Sequence, residues 1–129
     1  MSLVAQGAPR VGGVSLGDST ATVLAVLGQP EHRQQLLGFV TWEYPTRGLT
    51  LMWDRDQPTV RVVVVVKRRV GAVAGVRVGD PSSVARAEWG EPVRVRQEGR
   101  FLDFLHPAWA ATAEVVKGKI VEITMQRAE

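Results

Sequence analysis

The 129-residue sequence contains no cysteine and only two histidines, His32 and His106. The first absence removes disulfides, thiolate nucleophiles and thiolate metal sites together. The second excludes a metal site built on several imidazoles. No apolar run approaches the ~20 residues a membrane-spanning helix needs, so no transmembrane segment is expected. The opening Met1-Ser2-Leu3 has neither the charged nor the apolar region of a signal peptide. Gly12, Gly13 and Gly17 lack the ordered Gly and Lys spacing of a phosphate-binding loop. No spacing joins a nucleophile to a base. Neither cofactor nor metal is expected, and the chain is read as non-catalytic.

What is present has globular composition, with 45% hydrophobic and 22% charged residues, enough for one compact domain. The net charge of +3 is spread among scattered acids, which disfavours a nucleic-acid face. The densest cationic cluster, Lys67-Arg68-Arg69, closes the run TVRVVVVVKRR at residues 59–69. Cations ending an apolar strand act mainly as gatekeepers against aggregation.

The chain repeats itself. GVSLGDSTATVLAVLGQP at residues 13–30 aligns without a gap on GVRVGDPSSVARAEWGEP at residues 75–92, an offset of 62. Gly13, Val14, Gly17, Asp18, Gly28 and Pro30 fall on Gly75, Val76, Gly79, Asp80, Gly90 and Pro92. The same offset carries Trp42, Tyr44 and Pro45 onto Phe104, His106 and Pro107. In each copy an Asp (Asp18, Asp80) is the candidate N-cap of a short helix, over residues 19–27 and 81–89, with Pro81 at the first helical position. Gly28 and Gly90 end the helices, and Pro30 and Pro92 prevent their resumption.

Strand-like periods follow, at 36–44, 49–53 and 60–67, then at 93–97 with 101–105, 110–116 and 120–126. Lys117-Gly118-Lys119 reads as a tight turn. The expected fold is α+β: two tandem repeats, residues 11–69 and 73–127, joined at 71–75 into one compact domain. Each repeat has a short helix followed by about three antiparallel strands, with the helices packed on one face of the sheet.

The apolar-x-apolar-Gly-Asp opening, short helix, Leu-Gly-x-Pro and strand meander resemble two groups. These are the SmpA/OmlA (BamE) outer-membrane assembly lipoproteins and the tandem-repeat β-lactamase inhibitory proteins, the tandem form being closer to the latter. The resemblance runs over residues 11–127 and implies a non-catalytic bacterial protein, outside the cytoplasm, that binds other proteins with its sheet and loops. The chain departs from both groups in having no Cys, since the inhibitors carry disulfides and the lipoproteins a lipid-bearing Cys.

Trp42, Trp53 and Trp89 fall on apolar faces and are expected in the core. Trp109 lies in the loop segment His106-Pro107-Ala108-Trp109 and is expected to be exposed. Aligning the last strands of the two copies on their apolar residues sets Val60, Val62 and Val64 against Val121, Ile123 and Met125 as the covered face. Val63 and Val65 then stand where the second copy has Thr124 and Gln126. Phe39, Met52, Val63, Val65 and Trp109 are therefore the candidate partner-binding residues, for a protein partner or a homodimer. The alternative cover for that patch is residues 4–10 or 70–73. A second reading is a cytoplasmic or surface module gripping an acidic partner, nucleic acid included, through Arg61, Lys67, Arg68, Arg94, Arg96 and Arg100. A third, hydrolase-like reading centres on His106 with Glu43, Asp54, Asp56 and Asp103 as carboxylates.

Overall fold

A computed structural model describes residues 8–128 of the chain. Among them are two α-helices, α1 (Thr20–Leu27) and α2 (Ser82–Trp89). Four strands follow α1: β1 (His32–Leu36), β2 (Phe39–Tyr44), β3 (Leu49–Asp54) and β4 (Gln57–Val65). Four more follow α2: β5 (Arg94–Arg96), β6 (Phe101–Leu105), β7 (Trp109–Val116) and β8 (Lys119–Arg127). All eight join one antiparallel sheet in the order β1-β2-β3-β4-β8-β7-β6-β5. Each half meanders from an outer edge inward, so the last strands of the two halves, β4 and β8, meet at the centre.

This corrects the expected fold of two helix-plus-three-strand repeats. The architecture is a single eight-stranded sheet, to which each half contributes four strands. Residues 36–44 are not one strand, because the chain reverses at Leu37 and Gly38, both at positive φ (53° and 84°). Positive φ at both central residues is what a two-residue hairpin requires. An apolar Leu in that turn hid it from a reading based on hydrophobic pattern.

The helix starts also differ from expectation. Ser19 caps α1 by accepting from the Thr22 amide at 3.2 Å, and α2 follows Pro81 without a side-chain cap. Asp18 and Asp80 instead accept from the amides of Ser15 and Arg77, each at 2.9 Å, tying the turn that precedes each helix. The helices end at Gly28 and Gly90, at φ of 77° and 87°, whose amides donate back to Leu24 and Arg86.

One face of the sheet is core. Trp42, Leu51, Val63, Met125, Ala111 and Phe104 lie side by side across six strands, and all are buried. Tyr44, Leu49, Val65, Ile123, Ala113 and Leu102 form the neighbouring row, equally buried. Val23 and Leu27 of α1 and Ala85 and Trp89 of α2 close this face in the same apolar cluster. Each large side chain so buried is worth about 1.5–3 kcal/mol before chain entropy is counted.

The phase of the central strands is set by irregularities. Val60 and Val63 are both buried although three residues apart, so alternation slips between them. Met52 pairs with Val62 while Asp54 pairs with Gln57, leaving β4 with extra residues opposite β3. The surplus turns toward the segment before α1, where Gly17 donates to the Val60 carbonyl (2.7 Å) and Val60 to that of Asp18 (2.8 Å). The second half has the same device: Gly79 donates to Ile120 (2.7 Å) and Ile120 to Asp80 (2.9 Å), with a register shift after Glu114. A bulge of this kind reverses which side chains face inward. The expectation that Val60, Val62 and Val64 share the covered face is corrected accordingly.

Candidate functional site: the open face of the sheet

Because both helices lie on one side, the other side of the sheet presents its side chains outward. Its central row reads Thr41, Met52, Val62, Gln126, Ala110 and Leu105 from β2 to β6. Beside it run Glu43, Thr50, Val64, Thr124, Thr112 and Asp103. Met52, Val62 and Val64 are half-buried by their neighbours and form a continuous apolar seam over β3 and β4. Phe39, at the outer end of β2, is 42% exposed.

The candidate binding residues therefore divide. Phe39 and Met52 are on the open face. Val63 and Val65 are wholly buried on the opposite face, and Trp109 is wholly buried as well. The physical reason for the first correction is the bulge, which exchanges Val63 and Val65 for Val62 and Val64. For Trp109 it is that β7 begins at this residue and directs its ring into the core, edge-on to Trp89 at 5.8 Å. Trp42, Trp53 and Trp89 are buried as expected.

A signal for the missed pair was present in the sequence. Matching Val60 to Ile120, instead of to Val121, places Val62 opposite Glu122 and Val64 opposite Thr124 in the comparison of the halves. Of the two segments considered as a cover, residues 4–7 lie outside those described. The joint residue Val73 is buried against Trp89, whose indole nitrogen donates to its carbonyl at 3.1 Å. That places the joint on the helix side, away from the seam.

Around the seam several charges are paired within the chain. Asp103 accepts from Arg96 (2.8 and 2.9 Å), Arg94 (2.9 Å) and the Thr112 hydroxyl (2.7 Å). The Arg96 guanidinium foremost, with Thr112 and Arg94, holds the Asp103 carboxyl far below the usual carboxylate range. Arg100 donates to Glu114 at 2.9 and 3.1 Å, and Arg61 to Asp54 at 2.8 Å. Glu122 lies beside Glu114 across β7 and β8, and burial, reinforced by the Glu114 charge, raises its pKa.

The basic set proposed for an acidic partner is thus largely committed elsewhere. Arg61, Arg94, Arg96 and Arg100 pair as above, and Arg68 pairs with Asp80 at 2.7 Å. Lys67 donates to the Thr46 carbonyl at 3.4 Å. The geometry does not assemble these residues into a free cationic face.

His106 lies against Trp109, ring centroids 4.5 Å apart, and burial lowers its pKa. Its Nε2 is buried without a hydrogen-bond partner among the described residues. Two of the carboxylates considered with it, Asp54 and Asp103, are held by arginines. Among the described residues no three His, Asp or Glu side chains gather as a metal site. No described helix is long and apolar enough to cross a membrane.

No family model matches the chain. No curated protein matches it either. Solved structures do match. A DUF4309 family protein, YjgB of Bacillus subtilis, aligns with 97% of this chain and 90% of its own, at TM-score 0.65 and 11% identity. A cysteine-rich secretory protein of Staphylococcus aureus aligns with 87% of this chain at TM-score 0.68 and 10% identity. An extracellular protein of Bacillus anthracis containing an SCP domain aligns over the same share at TM-score 0.56 and 9% identity. The chain spans 44% of the length of each of these two proteins. At such identities, what it shares with all three is the fold.

Proposed function

We propose that this chain is a non-catalytic protein-binding module, acting outside the cytoplasm, that docks its partner on the open face of the sheet. The observation that carries this reading is the seam of Met52, Val62 and Val64 on the face opposite the helices. An apolar centre within a polar rim is the usual anatomy of a protein interface. Here two of the rim carboxylates, Asp103 with its arginines and Glu114 with Arg100, are already paired, which lowers the cost of covering them with a partner. The compartment reading draws support from the structural neighbours, two of which are described as secretory or extracellular proteins. The resemblance to envelope lipoproteins and secreted inhibitors leans the same way.

Site-specific cross-linking in the cell that makes the protein tests this reading. A photo-activatable phenylalanine derivative is placed at Val64, and as a control at Ala87, an exposed position on α2. The expected result is an adduct of defined mass from position 64 alone, lost when Val62→Lys is added. An adduct of twice the chain's mass would identify the partner as a second copy. Adducts from both positions, or from neither, would overturn the reading.

A further inference from the structure

On the helix-covered side, one place is packed differently in the two halves. The last residue of α1 is Leu27 and the last of α2 is Trp89. Two residues ahead of Leu49 on β3 stands Arg47, and two residues ahead of Ala111 on β7 stands Trp109. Each of these pairs is separated by the same 62 residues. In the second half Trp89 and Trp109, 4% and 0% exposed, meet edge to face and fill the space between helix end and sheet.

The first half has no ring at either position. In their place is a cavity of ≈ 270 Å³ lined by Gly12, Leu27, Arg47, Leu49, Arg69 and Val70. Leu27 and Leu49 are buried and supply an apolar floor, while Arg47 and Arg69 are exposed at the mouth.

The mouth carries excess positive charge. Arg69 donates to the Thr46 carbonyl, as does Lys67. Neither of these cations nor Arg47 forms an ion pair among the described residues. The nearby carboxylate of Glu31 is held instead by the amide and hydroxyl of Thr46, at 2.8 and 2.9 Å. The arginines named above as a candidate grip, Arg61, Arg68, Arg94, Arg96 and Arg100, are each bonded to an acid, whereas Arg47 and Arg69 form no ion pair among the described residues.

We infer that this cavity is a binding site for a small organic carboxylate with an apolar body of roughly the bulk of an aromatic ring. The apolar part would lie on Leu27 and Leu49, where the second half has Trp109. The carboxylate would sit between the Arg47 and Arg69 guanidinium groups, which suit its planar, two-oxygen geometry. The volume is at the small end of ligand pockets, which favours a single ring or short chain over a larger ligand. This inference is independent of the open-face reading, because it concerns the other side of the sheet.

Methyl NMR of the chain, titrated with indole-3-acetate, tests it. Tryptamine, with the same ring and the opposite charge, and plain acetate serve as comparators. Indole-3-acetate should shift the methyl resonances of Leu27, Leu49 and Val70 saturably, and the comparators should not. The Arg47→Gln, Arg69→Gln double variant should bind at least about tenfold more weakly, as expected for losing charged hydrogen bonds. Arg47→Trp should abolish binding with the remaining spectrum unchanged, since it supplies the ring found in the second half. Equal shifts with tryptamine, undiminished binding by the double variant, or no shift at these methyls would each overturn the inference.

Discussion

Under α2 the second half of the sheet gathers Trp89, Phe104 and Trp109, with Trp89 edge-on to Phe104 at 5.1 Å and to Trp109 at 5.8 Å. The first half instead pairs Trp42 with Trp53 across β2 and β3, at 4.7 Å, and ends its helix in Leu27. There the helix end is tied by a polar contact, the Tyr44 hydroxyl donating to the Gly28 carbonyl at 2.9 Å. The outer face shows the opposite contrast. At matching places after the bulge, the first half turns the half-buried Val62 and Val64 to the open face where the second has Glu122 and Thr124. The second half thus has the fuller core and the wetter surface. In the first half a half-open cavity and an outer apolar seam both remain.

The largest expected effect tests the core side of this contrast. Trp89→Ala should cost about 3–5 kcal/mol, because it empties a ring-lined site and removes the indole's hydrogen bond to the Val73 carbonyl. Leu27→Ala should cost about 2–3 kcal/mol, since its side chain already borders a cavity. Urea unfolding of both variants measures the difference, and equal losses would remove the contrast.

A smaller effect concerns the rim. The folded-state pKa of Asp103 is depressed, so its contribution is full above the unfolded carboxylate value and is lost as pH falls below about 4 toward the folded value. Asp103→Asn should therefore destabilise the protein by about 1–2 kcal/mol at neutral pH and flatten the acid limb of its stability profile. Thermal melts from neutral pH to pH 2 provide the check. An unchanged acid limb would show that the arginine network on the second half contributes little.

The smallest effect has the opposite sign. The folded-state pKa of Glu122 is raised, so its ionised form is disfavoured by folding and stability falls as pH rises through that pKa. Glu122→Gln should gain a few tenths of a kcal/mol at pH 7, on the order expected for relief of a like-charge neighbour. The gain should vanish below about pH 4, where the carboxyl is protonated in both states. A loss at neutral pH would mean that Glu122 is a favourable part of the wet face.

The legible parts of the molecule were the local ones. Both helices lie within a residue of the ranges read from Gly, Pro and the apolar stripe, and the Lys117-Gly118 turn was visible in its residues. The faces of β2 and β3 followed from alternation alone, which placed Trp42 and Trp53 in the core. The Leu37-Gly38 reversal was not legible, because its first residue is apolar. Two of the five candidate surface residues, Phe39 and Met52, were placed on the open face by the same alternation. Val63 and Val65 were displaced by one residue, since the bulge in β4 changes the phase of every side chain after it, and Trp109 was missed because it opens β7 and does not lie in a loop.

Composition and short-range pattern by themselves determined the helices, most strands and the absence of thiol chemistry, because each depends on residues within a few positions of one another. Only the tertiary structure decided that Val63 and Val65 face the core, that Trp109 is buried, and that the two meanders close into one sheet. These depend on pairing partners far away in sequence: β4 meets β8 with Val64 opposite Thr124, and residues 17–18 take up the surplus of β4. A strand's period says that its side chains alternate, but where the alternation slips is set by what the strand must pair with on either side.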